Sequence, residues 1–169
     1  SGIESRLVGI SDRIQSLDFS SDGQTLMAAG GAPARFGEVQ FWDVSSRTLK
    51  RSTTACQDTV FGAPLPPAGA TGASGGPDHT GRVLAAADGK ELLKMGHHEN
   101  WVLGTVFGID GKRILSVGRD RAAKLVDAST GAFIENINLL RGELSAVARH
   151  PSRDAVVIGG PRRSGRRVE

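Results

Sequence analysis

Cysteine is almost absent from this 169-residue chain, with Cys56 standing alone. A lone thiol excludes an internal disulfide, a Cys-x-x-Cys-His haem attachment site and a Cys-rich zinc site within these residues. No apolar run approaches the roughly 20 residues that cross a bilayer as a helix, so membrane insertion is not expected. Ser1 to Arg6 do not read as a secretory signal, and in an exported parent protein that signal would lie outside these residues. Both glycine-rich phosphate motifs are missing: no Gly-x-x-x-x-Gly-Lys-Ser/Thr or Gly-x-Gly-x-x-Gly precedes a helix pattern. Gly30-Gly31 and Gly75-Gly76-Pro77 read as strand ends and turns, and Gly89-Lys90 and Gly111-Lys112 as turn residues. An excess of one charge is also lacking in the body. The net charge of +3 resides in residues 161–169, where Arg162, Arg163, Arg166 and Arg167 stand against Glu169. Such a tail reads as a disordered, solvated end, and no nucleic-acid partner is expected.

Glycine is what the chain has in abundance, 23 residues spread along its length. That distribution fits many tight turns and hence many short strands. Hydrophobic residues make up 38% and charged residues 23%, the balance of a soluble globular chain. The length suits one domain with a sizeable core.

One segment type recurs. Ile14 to Gly31, Thr59 to Gly76, Trp101 to Gly118 and Leu144 to Gly160 each hold a short alternating run, a turn rich in Asp, Gly or Pro, a second short apolar run, then small residues. Phe19, Leu65, Phe107 and Arg149 stand before the turns, 46, 42 and 42 residues apart. A period near 40 to 45 with strand-turn-strand content is the signature of a four-stranded propeller blade. Helical solenoids would need apolar residues at i, i+3, i+4 and i+7, whereas these segments alternate and break every few residues. Third strands are expected at Glu38–Val44, Gly81–Ala86 and Ala123–Ala128. Turns and fourth strands follow at Thr48–Arg51, Glu91–Met95 and Ala132–Ile137.

Residues 7 to 160 resemble the WD-repeat family. The most specific points are Trp42-Asp43 at the end of a third strand and Gly96-His97 before a first strand. The turns Ser21-Asp22-Gly23 and Ile109-Asp110-Gly111 agree. The stretches FGEVQFWDV, MGHHENWVLGTVF and VARHPSRDAVVIGG are similar to bacterial WD-repeat chains fused to a c-type cytochrome domain. The resemblance implies a buried hydrogen-bond chain in each blade: a His before the first strand, a Ser or Thr on the second, an Asp in the next turn and a Trp on the third. The third unit supplies His97, Ser116 and Asp120, with Val126 in place of the Trp. The second supplies Ser74 and Asp78, with Ala55 and Leu84 at the His and Trp positions. The first has Trp42, but Ala32 to Gly37 reads as an inserted loop that displaces the turn Asp. Each missing hydrogen bond forgoes roughly 1 kcal/mol, which predicts weaker blades on an intact fold. The second unit is the poorest, because Pro64, Pro66 and Pro67 fall where its first strand should end.

His97, Ser116 and Asp120 invite comparison with a catalytic triad. No Gly-x-Ser-x-Gly elbow or strand-turn-helix setting accompanies them, so a structural role is expected. Adjacent side chains on a strand or turn point different ways, so three consecutive residues such as His97-His98-Glu99 rarely share one ion. No metal and no cofactor are expected, and His98 and Glu99 read as exposed loop residues. Trp42 is expected between blades. Core packing is the first reading of Trp101. As the second reading, Trp101 with His98, Glu99 and Arg119 forms a partner-contact patch. Arg35 and Phe36 on the inserted loop are a second candidate contact.

The sequence therefore predicts an all-β chain of about three to four four-stranded antiparallel propeller blades in an incomplete ring. The units fall near 7–54, 55–95, 96–138 and a partial 139–160, with a tail at 161–169. The expected function is a non-catalytic protein-protein interaction scaffold, with self-association through open propeller edges. The alternative is an accessory propeller of a c-type cytochrome whose haem domain lies outside this chain. A propeller hydrolase or lyase ranks third. The cytochrome reading would imply the periplasm or cell envelope, and the scaffold reading otherwise implies the cytoplasm.

Overall fold

A computed structural model describes residues 6–62, 64–66, 69–137, 142–161 and 166–168, and among these there are strands, turns and no helix. The first sheet runs β1 (Arg13–Phe19), β2 (Thr25–Ala32), β3 (Phe36–Asp43) and β4 (Thr48–Cys56) in that order. β5 (Thr71–Gly75), β6 (Gly81–Ala85) and β7 (Glu91–Met95) form a second sheet. β8 (Val102–Phe107), β9 (Arg113–Gly118), β10 (Ala123–Asp127) and β11 (Phe133–Ile137) form a third. β12 (Ala146–Arg149), β13 (Val156–Gly159) and β14 (Arg166–Val168) form a fourth. Every pairing is antiparallel between strands adjacent in sequence.

Local chemistry sets these hairpins. Between β1 and β2, Gly23 takes φ 68° and the Asp22 carboxylate accepts the Gln24 N–H. Between β8 and β9, Gly111 takes φ 70° and Asp110 accepts the Lys112 N–H. Only a residue without Cβ holds that φ cheaply, and an Asp side chain mimics a backbone turn beside it. Phe19, Phe107 and Arg149 each close their strand, β1, β8 and β12, which is why the 42-residue spacing is visible in the sequence.

Alternation sends one set of side chains from each sheet forward and the other back. Met27, Ala29, Val39 and Phe41 of the first sheet meet Leu84 of the second, with Val60 and Leu65 between them. Ala73, Val83 and Met95 of the second sheet meet Phe107, Ile114 and Val126 of the third. Val106, Leu115, Val117 and Ala123 of the third meet Ile158 of the fourth, with Leu144. The core is thus three interfaces between four stacked blades, as in a repeat protein whose units contact only their neighbours. The ring is not closed. Phe19 and Leu17 on the outward side of the first sheet, and Val157 on that of the fourth, remain exposed.

Three expectations need correction. Among the described residues the second unit has no innermost strand of its own. Among the described residues, one bridge, Phe61 to Gly75, and the Ala73 N–H donated to the Pro64 carbonyl stand where the first strand should pair. The physical reason is the Pro64 and Pro66 pair, which has no N–H to give to a ladder; Pro67 lies outside the described residues. Residues 32–37 are not an inserted loop either. They prolong the hairpin, with Gly31 pairing Gly37 and Ala32 pairing Phe36. Finally, the tail is not without strand pattern. Arg166, Arg167 and Val168 pair with Ile158, Val157 and Val156 as β14, because β13 offers an otherwise unpaired edge. Arg162, Arg163 and Glu169 lie outside the described residues.

Candidate functional site

The loop from Gly96 to Trp101 leads into β8 and carries a cluster of polar and aromatic contacts. His98, not His97, reaches into the blade. Its Nδ1 lies 2.9 Å from Asp120 Oδ2 and its Nε2 lies 2.8 Å from Ser116 Oγ. His98 is 7% exposed, which corrects its expected place among surface contacts. His97 instead rests on Phe133, with ring centroids 5.6 Å apart, and its Nε2 is 3.0 Å from the Gly131 carbonyl oxygen. The sequence offers two adjacent histidines that point to opposite sides, and only the second faces the Asp120 turn.

Burial drives the His98 pKa down and outweighs the hydrogen bond that His98 donates to Asp120. For Asp120, burial opposes the charge, but His98 and the Glu99 N–H more than compensate, and its pKa falls. His98 is therefore neutral near pH 7, donating from Nδ1 to the Asp120 carboxylate and accepting the Ser116 hydroxyl at Nε2. Asp120 also accepts the N–H groups of Glu99 and Ala122. Lys124 adds a cation 3.9 Å from Asp120 Oδ2 and donates to the His97 carbonyl. One carboxylate thereby anchors the loop before β8, the turn before β10 and β10 itself.

On the outer side of this anchor lies Trp101, 37% exposed. Its ring stacks on Phe61 at 6.1 Å between centroids, and the Arg119 guanidinium lies 4.8 Å from its centroid. Arg119 also faces the Glu143 carboxylate at 3.5 Å. Asn100 Oδ1 accepts the Trp101 N–H. Glu99, Asn100 and Arg119 are exposed around the ring. Trp101 thus belongs to the surface rather than to the core. Phe61 and Glu143 went unnoticed in the sequence; Phe61 stands in the proline-rich unit, where no alternation marks it.

The other expected residues occupy equivalent positions in different chemistry. Ser74 is buried opposite Arg82, as Ser116 is opposite Lys124. Asp78 pairs with Arg82 by a short hydrogen bond to Nη2 and one of 3.2 Å to Nη1. Burial opposes the Asp78 charge, but Arg82 and Thr80 lower its pKa to about 2. In the first sheet Trp42 Nε1 donates to Gln40 Oε1 at 2.9 Å, and Gln40 Nε2 donates to Glu38 Oε2 at 2.6 Å. Ser11 and Ser52 also donate to the buried Glu38 carboxylate. Asp43 is outside that chain: it accepts Ser45 Oγ and the Ser46 N–H and pairs with Lys50. Gln40, Arg82 and Lys124 are thus register equivalents, a correspondence that aligning the three units would have exposed.

Arg35 is exposed in the turn between β2 and β3, and Phe36 opens β3. The corresponding turns of the three sheets each contain a non-glycine residue at positive φ: Ala34 at 56°, His79 at 67° and Arg121 at 64°. Arg35 and Arg119 therefore share one rim of the arc. Among the described residues, no group of three His, Cys, Asp or Glu side chains is arranged to hold a metal ion.

No family model and no curated protein matches the chain. Solved structures do. The structure described as RRP9 WD40 repeats superposes with a TM-score of 0.83 at 19% identity, covering 92% of this chain and 47% of that one. A structure of U3-55K gives 0.82 at 19%, covering 91% and 47%. A chain of the mitotic checkpoint complex gives 0.79 at 22%, covering 92% and 49%. The chain spans about half the length of each. With its four-bladed arc and these superpositions, this chain has the WD40-type β-propeller fold.

Proposed function

We propose that the chain is a non-catalytic scaffold that receives a protein partner on the rim around Trp101. The observation that carries this is the Phe61–Trp101–Arg119 stack, partly open to solvent and fixed from behind by the Asp120 anchor. Trp and Arg are the residue types that dominate binding hot spots, and a held side chain loses little entropy on binding. Rigid strands with contact residues on their connecting loops are a common arrangement for recognition.

Ser116, His98 and Asp120 are spaced like a catalytic triad, and triads are recognised by geometry. Here Ser116 sits in mid-strand, paired with Thr105 on one side and Lys124 on the other. It is buried, so no acyl group can approach its hydroxyl. That favours a structural part. The cytochrome-accessory reading rests on the resemblance of three stretches of sequence, and nothing in the site favours it.

Affinity capture from the source organism's extract, with quantitative mass spectrometry, tests the proposal. Trp101→Ala and Arg119→Ala are expected to lose the captured partner while keeping the wild-type melting temperature. Capture that survives both substitutions would exclude this rim as the contact. Hydrolytic activity abolished by Ser116→Ala without loss of stability would overturn the non-catalytic reading.

A further inference from the structure

The two rims of the arc differ in which residues take the left-handed backbone conformation. On the rim away from Trp101, the β1–β2, β6–β7, β8–β9 and β10–β11 turns hold Gly23, Gly89, Gly111 and Gly131 at positive φ; Arg47, between β3 and β4, is the exception. On the Trp101 rim, the β2–β3, β5–β6 and β9–β10 turns hold Ala34, His79 and Arg121 there instead. A side chain at such a φ strains the backbone, and glycine holds it at lower cost. Arg121 gives the fold nothing in return: it is exposed and in no ion pair among the described residues. Strain of this kind gathers where a side chain serves a contact.

Charge follows the same division. The aspartates of the Trp101 rim are taken up within the fold. Asp58 accepts the N–H groups of Ala34 and Thr59, Asp78 pairs with Arg82, and Asp120 holds His98. The arginines face outward. Arg35, like Arg121, is exposed at a turn and in no ion pair among the described residues. Arg119 faces Glu143 at 3.5 Å, longer than a good hydrogen bond. Against these cations stands Glu99, exposed and likewise unpaired among the described residues.

Both free cations are tied to the Trp101 patch. Ala34 donates its N–H to Asp58 Oδ1 at 3.0 Å, and three residues further on Phe61 stacks on Trp101. Arg121 follows the Asp120 anchor directly. The β2–β3 hairpin also continues through the pairs Gly31–Gly37 and Ala32–Phe36, where β9–β10 ends at the Gly118–Ala122 bond. Two extra residue pairs carry the tip at Arg35 roughly 7 Å further along the strand direction. We propose that the partner received on this rim presents an acidic segment, lying over the Trp101 patch with its carboxylates toward Arg35, Arg119 and Arg121. This rests on the rim being the contact and adds the chemistry of what meets it, since complementary charge steers a partner and fixes its register. A protein segment fits better than nucleic acid. A phosphate backbone is bound through many cations in succession, whereas Glu99 and Glu143 interrupt these.

Selection of random dodecapeptides displayed on phage, run against the whole chain and counter-selected on Trp101→Ala, reads that chemistry. The peptides that need Trp101 are expected to be rich in Asp and Glu and to bind more weakly as salt is added. Reversing both free cations, Arg35→Glu with Arg121→Glu, should lower their affinity by about tenfold or more. Arg47→Glu, on the opposite rim, should leave it unchanged. Both rim arginines are exposed, so circular dichroism should not change. Arg121→Gly is a second lesion that misfolding cannot mimic: it relaxes the turn, so the melting temperature should not fall, yet the acidic peptides should bind more weakly. Trp101-dependent peptides that are neutral or basic would overturn the proposal and leave the contact rim standing. A selection yielding no Trp101-dependent peptide would sink the rim and the proposal together. Acidic peptides indifferent to the double reversal, or a single-stranded oligonucleotide of the same length that binds more tightly than they do, overturn it as well.

Discussion

The second and third blades solve the same problem in different ways. Each places a carboxylate in the turn before its third strand, Asp78 in one and Asp120 in the other, and a charge there needs donors. In the third blade the donors come from the preceding loop, through His98 and the Glu99 N–H. In the second blade they come from the following strand, through Arg82 four residues later, which also reaches Glu91 at 3.2 Å. The difference lies in what gets tied down. Asp120 fastens the entry to an innermost strand, and β8 is a full strand of six residues. Asp78 fastens its own hairpin, and the described residues of the segment before β5 pair with it through the Phe61–Gly75 bridge and the Pro64 carbonyl. The Asp120 side chain is 6% exposed and that of Asp78 39%.

Cutting each anchor should separate the blades most sharply. Asp120→Ala removes the acceptor for the neutral His98 and two backbone N–H groups at a buried site, and each buried donor left unpaired costs about 1–3 kcal/mol. Asp78→Ala leaves the buried Arg82 guanidinium with Glu91 as its remaining acidic partner, and should cost about 1–2 kcal/mol. Urea denaturation of both variants measures the gap, and equal losses would show that the two anchors carry similar weight. Arg82→Met comes next in size. It keeps the apolar stem and leaves Asp78 to be solvated, so a loss of about 1–2 kcal/mol is expected. Proteolysis of this variant should cut before β5 no faster than in wild type, because Arg82 does not hold that segment.

A smaller effect comes from pH and belongs to the third blade alone. The His98 pKa is depressed in the folded chain, so the unfolded chain binds the proton more readily. The His98 contribution is complete above its ordinary value near 6.5 and is lost as the pH falls through the folded value. Melting temperature should therefore drop between pH 7 and pH 5, and the drop should shrink in His98→Gln. An unchanged slope in that variant would assign the titration to another group.

Fold and site were not equally legible in the sequence. The strands could be read because a blade is local: alternation, turn chemistry and a 42-residue repeat are written in adjacent residues, and β6 and β7 fall within a residue of their expected bounds. The site depends on which way a side chain turns. Gly96-His97-His98 allows two frames, and only the position of Asp120 selects His98. No local sequence signal marks Arg82 and Lys124; register alone sets each opposite a buried serine. The open hairpin at 32–36 looked like an insertion because its added residues pair only with each other.

The smallest effect tests the missing strand itself. Thr105, in β8, is buried, and its Oγ1 has no hydrogen-bond partner among the described residues. It faces Gly62, whose φ is 75° and where an added Cβ would stand 3.0 Å from that oxygen. Gly62 lies in the segment that would have been the innermost strand of the second blade. A regular strand would carry a side chain there; this segment carries none and, among the described residues, offers Thr105 no partner. Replacing both members of a hydrogen bond by apolar groups of the same shape is nearly neutral, and removing an unpaired polar atom gains about 1 kcal/mol or less. Thr105→Val should therefore be neutral or slightly stabilising, whereas Ser116→Ala, one strand away, should destabilise. If Thr105→Val instead lowered stability by as much as Ser116→Ala, the hydroxyl would have a partner in solution, and the second blade would be better formed around Gly62 than the Phe61–Gly75 bridge implies.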